Sequence, residues 1–175
     1  MNEPTETELV QAIADATRAA AEELFALHPG RYYYFALIST GEALPPFVSA
    51  WSEEALAETD DADMIRWSCA DSPFCAYGWE EHFGQVQRLF SERPALDFSD
   101  QEAWKAEYEL RFRAMERALQ QLDGEGLFGE GQARLGIVVN AEVMPPDFTN
   151  TERARRLNPA GALSRWLEEA AEPEE

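Results

Sequence analysis

Two stretches of the chain, 6–27 and 100–122, carry apolar side chains at spacings of three and four residues. This periodicity predicts a helix that buries one face. Thr5 with Glu8, and Ser99 with Glu102, match the capping box that begins many helices. We therefore predict two long amphipathic helices that lie across a sheet. Their stripes consist of Leu9, Ile13, Ala16, Ala20, Leu24 and Leu27, and of Trp104, Tyr108, Phe112, Met115, Leu119 and Leu122.

Shorter apolar runs predict the strands of that sheet. Residues 32–39 are aromatic-rich and uncharged, which favours a central strand with both faces covered. A loop containing Gly41 and two prolines leads to a second strand over 47–51, and residues 64–67 predict a third. A fourth strand is predicted over 134–143. There Asn140 and Glu142 share one face, which we expect to be wetter towards the strand's end.

Together these elements predict one α+β domain over residues 1–175, with helices packed on a mainly antiparallel sheet of about four strands. Ser52 caps a short helix over 53–58, and another helix runs over about 79–91. Thr149 or Asn150 caps a helix that ends near 157, and Asn158 with Pro159 begins the last one. The acidic tail, about 170–175, is expected to be frayed.

The charge of the chain narrows the choice of partners. Its net charge is −20 at pH 7, and phosphate repels such a surface, so we expect no nucleic-acid and no anionic-membrane partner. The first residues are acidic, unlike a secretory signal, and no apolar run reaches the ~18 residues of a membrane span. With Cys69 and Cys75 as the two cysteines, a reducing cytoplasm is the expected compartment.

The negative charge concentrates beside the aromatic strands. No lysine or arginine occurs between Tyr32 and Ile65. A run of acids is commonly just a solvated face, yet this one also suits docking of a basic protein, because complementary charge speeds encounter and excludes wrong partners. We take the second reading as the first functional hypothesis, a non-catalytic binding protein. Its candidate residues are Glu53, Glu54, Glu58, Asp60, Asp61 and Asp63.

A second candidate site lies around the end of the last predicted strand, at Asn140, Glu142, Asp147 and Asn150. Side-chain oxygens of this kind bind hard cations or position a water. Turns and helix caps prefer the same residue types, which explains all of them except Glu142. The alternative hypothesis is therefore a small hydrolase or metal-dependent enzyme that uses these carboxylates. A self-associating homo-oligomer is the third.

Two motif-like patterns carry no prediction. The string 124–129 matches G-x-G-x-x-G, but it lies between a helix and a strand, the reverse of the order in a dinucleotide site. Cys75, His82 and Asp71 could be drawn as a thiol triad, yet only their residue types support it, and a buried cysteine that packs as a small hydrophobe is the simpler interpretation. We predict no catalytic residues, no metal and no cofactor from the sequence.

Three blocks of sequence resemble a known bacterial family. They are YYFALISTGEALPPFVSAWSEEAL, RWSCADSPFCAYG and EVMPPDFTNTERARRLNP, and together they are similar to the domain of unknown function 4303 (DUF4303). The resemblance covers nearly the whole chain, and it implies no activity or catalytic residue. Families of this size and acidity occur among bacterial immunity proteins that neutralise toxin enzymes. By association only, the resemblance therefore implies an immunity-type inhibitor.

Overall fold

The computed structural model describes residues 3–174. Within that range the chain forms short and long helices around a small sheet, so the predicted α+β class is confirmed. The strands are β1 (Tyr32–Thr40), β2 (Phe47–Ser52) and β3 (Val138–Met144). The helices are α1 (Glu6–Leu27), α2 (Glu53–Ala57), α3 (Ala62–Ile65), α4 (Trp79–His82), α5 (Gly84–Ser91), α6 (Gln101–Gly124), α7 (Gly131–Arg134), α8 (Phe148–Leu157) and α9 (Ala160–Glu169).

The sheet has the order β2-β1-β3. β1 pairs with β2 antiparallel and with β3 parallel, so the sheet is mixed, and among residues 3–174 it has three strands where about four were predicted. The missing strand is the one predicted at 64–67. Ala62–Ile65 forms a helical turn instead, and its C-cap Arg66 is also helical.

The prediction that β1 is the central strand is confirmed. It lies between the other two strands, and its residues 33–39 are all buried. Successive side chains of a strand point to opposite faces. Phe35 and Leu37 accordingly pack into one core cluster, whereas Tyr34, Ala36 and Ile38 pack into a second. Aromatic and aliphatic side chains therefore fill both faces of the strand.

The two long helices cover one face of the sheet, as their stripes predict. Leu9, Ile13 and Leu24 of α1 are fully buried in the same cluster as Phe35. Met115 and Leu119 of α6 join them there. The capping box at Thr5 is present, since Thr5 Oγ1 accepts from the Glu8 amide and the Glu8 carboxylate accepts from the Thr5 amide at 2.7 Å. The start of α6 differs from the prediction, because Asp100 rather than Ser99 is its cap and accepts from the Ala103 amide at 3.0 Å.

The opposite face is covered by the segment that follows β2. Trp51 is fully buried there, and its indole N–H donates to the Ser68 carbonyl at 2.8 Å. Ser49 Oγ donates to the Cys69 carbonyl at 2.8 Å. These bonds hold residues 66–69 against the sheet as a covering loop. The apolar side chains of this loop pack onto the face formed by β1 and β2. The segment is therefore apolar, as a strand would be, although it forms no strand.

The last strand begins later than predicted, because Arg134 belongs to α7 and β3 starts at Val138. Its outer edge is covered by α8 and the residue that follows it. The Asn158 side chain accepts from the Val139 amide at 2.8 Å and donates to the Val139 carbonyl. The Asn150 side chain does the same at Val143, at 2.7 and 3.0 Å. Two asparagine amides thus take the place of a fourth strand at this edge.

Three helix predictions need correction. The helix predicted over 79–91 is two helices, which meet at Phe83. The N-cap of α8 is Asp147, whose side chain accepts from the Thr149 amide at 2.9 Å, so neither Thr149 nor Asn150 caps it. Asn158 is the C-cap of α8, and α9 begins after Pro159. The predicted caps at Thr5 and Ser52 are confirmed.

None of the helices in the described range is both long enough and apolar enough to pass through a membrane.

Candidate functional site

Glu142 and Asn140 project from the same face of β3, as residues two apart on a strand must. The wetter face predicted there is wrong, because Asn140 is fully buried and Glu142 is 8% exposed. The Glu142 carboxyl accepts from Tyr34 Oη at 2.9 Å and from Asn140 Nδ2 at 3.2 Å. The neighbouring strand β1 thus supplies one of the two donors that hold the carboxyl in place.

This carboxyl has no cationic partner. Within residues 3–174, no lysine, arginine or histidine nitrogen lies within 4.0 Å of it. Burial raises the pKa of Glu142, and the hydrogen bonds from Tyr34 and Asn140 and the charge of Arg153 oppose that rise only in part. A carboxyl without a cation is costly to ionise in a low dielectric. Among the four polar residues predicted as a site, Glu142 is therefore the one whose pKa the fold raises.

Asn150 and Asp147 serve the fold. Asn150 bridges the backbone of Val143, and its Oδ1 also accepts from Arg153 at 2.7 Å. Asp147 caps α8 and is exposed. The Asn140 amide group donates to the Asn150 carbonyl at 3.1 Å as well as to Glu142. In the described part of the chain, no three His, Cys, Asp or Glu side chains come together as a metal site.

A cavity of about 200 Å³ opens beside Glu142. We call it the Glu142 cavity. Trp67, Trp166 and Met144 provide its apolar walls, and Ser68 and Cys69 add a hydroxyl and a thiol. Burial raises the pKa of Cys69 to about 12, so this thiol stays protonated at neutral pH. Ser68 Oγ already donates to the Asp71 carboxylate at 2.6 Å. Neither group is thus an activated nucleophile.

The structure divides the six predicted docking acids into two groups. Glu53 forms an ion pair with Arg66, which also lies 4.1 Å from the centre of the Tyr33 ring. Glu54 binds Arg31, accepting from its backbone amide at 2.7 Å and from Nε at 3.2 Å. Both carboxylates are therefore neutralised by neighbouring arginines, and they support the local fold.

The other four acids form no ion pair among residues 3–174. Glu58, Asp60, Asp61 and Asp63 are exposed, and no cationic nitrogen in the described range lies within 4.0 Å of their carboxylates. Met64 stands beside them with 86% of its surface exposed. We call these five residues the acidic surface. It joins four negative charges to one large apolar side chain, a combination that suits contact with a basic protein.

A larger groove of about 900 Å³ lies between α6 and α8. Four arginines line it, and three of them form ion pairs with glutamates of the same chain. Arg113 and Arg117 both bind Glu6, at 2.8 and 2.9 Å, and Arg156 binds Glu116 at 2.7 Å. Arg153 also lines the groove, has no carboxylate partner in the described range, and donates instead to the Ala141 carbonyl at 2.6 Å and to Asn150 Oδ1 at 2.7 Å.

The two motif-like patterns of the sequence form no site. His82 Nε2 lies 3.2 Å from a Glu23 oxygen, and Asp71 accepts from Ser68, so each has a partner outside the drawn triad. Burial raises the pKa of Cys75, which disfavours its thiolate. The glycines of 124–129 follow α6 and lead into the single turn α7, with Gly126 and Gly129 at positive φ. They serve a tight return of the chain.

Sequence reasoning missed the convergence of Tyr34, Trp67 and Trp166 on Glu142. The sequence places Tyr34 in the predicted central strand, Trp67 in a predicted strand over 64–67 and Trp166 in the last predicted helix. The available signal was Glu142 itself, a charged residue inside an apolar strand that turn chemistry does not explain. Its partners lie far apart in the chain, so spacing alone could not identify them.

The family model described as Domain of unknown function (DUF4303) matches residues 13–159. Searches of curated proteins and of solved structures found no match.

Proposed function

We propose a function for this chain, which belongs to the domain-of-unknown-function family DUF4303, from the surface that its fold presents. It is a non-catalytic binding protein whose acidic surface docks on a basic protein. The supporting observation is that Glu58, Asp60, Asp61 and Asp63 are exposed around the exposed Met64 and form no ion pair in the described range, where Arg165 of α9 acts on Asp63 through its charge alone. Elsewhere in the fold, many carboxylates are paired with arginine.

The form of binding that fits best is inhibition of a basic toxin enzyme, as an immunity-type protein would perform it. Charged side chains at such a rim steer the encounter and raise the association rate, while a buried apolar contact slows dissociation. We propose a cytoplasmic location as well, since Cys69 and Cys75 are both free thiols, which suits a reducing compartment.

Binding is better supported than catalysis. A hydrolase or metal-dependent enzyme at the end of β3 would use Glu142, Asp147 and Asn150, but Asp147 and Asn150 are occupied by cap and strand bonds. Of the two possible nucleophiles beside Glu142, the thiol of Cys69 is protonated at neutral pH, and Ser68 Oγ is part of a local turn in which it donates to the Asp71 carboxylate and accepts from the Asp71 amide at 3.3 Å. Glu142 alone supplies no second reacting group.

The test reverses charge on the acidic surface without disturbing its paired neighbours. The variant carries Glu58→Lys, Asp60→Lys and Asp61→Lys, which leaves the Glu53–Arg66 and Glu54–Arg31 pairs intact. The matched control carries Glu22→Lys, Glu80→Lys and Glu81→Lys, a change of the same total charge at exposed positions on α1 and α4. Both variants should unfold with the same urea midpoint as the original chain, to within about 1 kcal/mol of unfolding free energy.

Each protein is used to capture partners from the host of origin, and the captured basic protein is purified. Its association rate is then measured by stopped flow at low and at physiological salt. We expect the surface variant to associate about ten-fold or more slowly and to lose most of the salt dependence, because steering by opposite charge is screened by ions. The control should behave like the original chain. Equal rates for the surface variant and the control would refute the proposal.

A further inference from the structure

The Glu142 cavity combines features that the docking proposal leaves unused. Glu142 and Glu172 are among the residues that line it, and in the described range no lysine, arginine or histidine does so. Two tryptophans form its walls. At about 200 Å³ it is several times larger than the ~30 Å³ that one water occupies in the liquid. It is smaller than the ~300 Å³ at which pockets for drug-sized ligands begin. The volume suits one side chain.

The carboxyl of Glu142 has unused capacity for hydrogen bonds. Each of its oxygens accepts one bond from the protein, from Tyr34 and from Asn140. An ionised carboxylate accepts about four in total. The remaining positions are the ones that a cation with several N–H donors would fill, and such a cation would also supply the charge that the fold does not provide within 4.0 Å in the described range.

The aromatic walls suit the same ligand class. Cations bind over the faces of aromatic rings, and tryptophan is the strongest ring for this contact. Trp67 already takes part in such a contact within the fold. The Arg66 guanidinium lies 4.1 Å from the Tyr33 ring centre and 5.6 Å from that of Trp67. Trp67 is fixed in place, since its indole N–H donates to Glu169 at 2.8 Å and its ring packs edge-on against Tyr33. Because the Trp67 side chain is already ordered, a ligand that binds against it loses less conformational entropy.

The cavity also adjoins the acidic surface in the chain. Asp63 and Trp67 are four residues apart, which limits the distance between their Cα atoms to about 14 Å even for an extended chain. A basic protein seated on the acidic surface therefore brings its own side chains within reach of the cavity mouth.

We propose that the Glu142 cavity receives an arginine side chain of the basic partner, with the guanidinium on the Glu142 carboxylate and the alkyl stem against Trp67 and Trp166. This inference rests on the proposed docking function and names the anchor within it. Arginine fits better than lysine, because its planar guanidinium stacks on aromatic rings and matches a carboxylate with parallel N–H groups. At a pH below its raised pKa, Glu142 releases its proton to solvent when the guanidinium binds.

The test uses ethylguanidinium chloride as the probe and N-ethylurea as a neutral compound of similar shape. Binding is followed by the indole N–H resonances of Trp67 and Trp166, assigned with Trp67→Phe and Trp166→Phe. We expect a saturable shift with ethylguanidinium and none with N-ethylurea. Glu142→Gln should weaken the affinity about ten-fold or more, because a charge-assisted bond is lost. Glu109→Gln, on α6 at the opposite face of the sheet, should leave it unchanged.

A second measurement uses the unaltered chain, so its result does not depend on whether Glu142→Gln folds. Its affinity for ethylguanidinium should increase as pH rises through the elevated pKa of Glu142, because binding releases a proton. The other titratable or charged groups near this carboxyl are Tyr34, Cys69, Arg153 on α8 and Glu172, which lines the same cavity, and the Asn140 amide also faces it. Tyr34 and Cys69 stay neutral and Arg153 stays charged over this range. An equal response to N-ethylurea, or a flat pH profile, would overturn the proposal.

The two proposals fail separately. The surface variant at Glu58, Asp60 and Asp61 keeps the cavity intact, so it should bind ethylguanidinium normally. If ethylguanidinium does not bind but the surface variant still associates slowly with the partner, only the arginine anchor is wrong. If ethylguanidinium binds as expected and the surface variant associates normally, the docking surface is wrong.

Discussion

At the scale of single residues, this fold treats two buried glutamates in opposite ways. Glu107 forms ion pairs with Arg93 and with Arg111, the latter at 2.8 Å. Burial alone would raise the pKa of Glu107, but the hydrogen bonds from the two arginines outweigh it and hold the pKa below its ordinary value. Glu142 has only uncharged donors, and its pKa is raised. The Glu107 carboxylate is therefore an ionised part of the core, whereas the Glu142 carboxyl remains available to a charged ligand.

We expect Glu107→Ala to lower the free energy of unfolding by about 3–5 kcal/mol, because it leaves the buried Arg111 guanidinium without a carboxylate and Arg93 with only the half-exposed Glu3, at 2.9 Å. Arg111 would retain its bonds to the Ala43 and Pro94 carbonyls, which do not neutralise its charge. Urea unfolding measures the loss. The control is Glu109→Ala on the same helix, an exposed partner of Lys105, which should cost under about 1 kcal/mol. Equal effects of the two changes would contradict a structural role for the buried triad.

Glu142→Gln should stabilise the protein relative to the original chain increasingly as pH rises. A carboxyl with a raised pKa binds its proton more tightly in the folded state, so its contribution is complete below the unfolded pKa and is lost as pH rises through the folded one. Glutamine has no proton to lose. The free energy of unfolding of both proteins, measured by urea from about pH 4 to pH 8, gives the difference.

The difference between the two curves isolates this one group. The acids that titrate elsewhere are common to both proteins, and the pKa of Tyr34 lies well above 10 while that of Cys69 is about 12. A difference that stays constant over this pH range would show that Glu142 has an ordinary pKa.

At the scale of elements, the edge of β3 depends on α8. Asn158 binds both backbone groups of Val139 and also accepts from Arg134 at 3.1 Å. We expect Asn158→Ala to cost about 1–3 kcal/mol, because buried backbone groups lose their partners. Hydrogen exchange of the Val139 amide should quicken at the same time. Gln120→Ala, at an exposed position of α6, is the control and should leave both quantities unchanged.

How far the sequence predicts these elements depends on their length. Helices α1 and α6 have many periodic positions, so their extents follow from the stripes. Residues 64–67 are too few to show a period. Met64 and Ile65 end α3, and bonds from Trp51 and Ser49 to the Ser68 and Cys69 carbonyls hold the covering loop that follows against the sheet. The parallel pairing of β1 with β3 has no local signal. Glu142 is buried because of that pairing. Tyr34 on β1 and Trp166 on α9 come close to it only in the folded chain.

At the scale of the whole molecule, ion pairs join distant parts of a chain whose net charge is −20. Glu6 binds Arg113 and Arg117, which ties the start of α1 to α6. Arg18 binds Glu125 at 2.7 Å and ties α1 to the end of the same helix. These pairs offset part of the mutual repulsion, and the acidic surface contributes to the remainder.

We expect added salt to stabilise the protein, because screening weakens repulsion among the excess acids more than it weakens a few close pairs. The urea midpoint should rise between about 10 mM and 500 mM sodium chloride. The surface variant with Glu58, Asp60 and Asp61 replaced by lysine should gain less from the same salt. A midpoint that falls with salt would mean that the surface pairs dominate the electrostatics.

The order of the strands also bears on synthesis. β1 and β2 are adjacent in the chain, whereas the parallel partner β3 begins only at Val138. While the ribosome is still making residues 53–137, one edge of the aromatic ribbon Tyr32–Thr40 therefore has no partner. Such an uncharged open edge pairs readily with other chains. Until β3 emerges, the nascent chain depends on α1 and on its own negative charge to avoid aggregation.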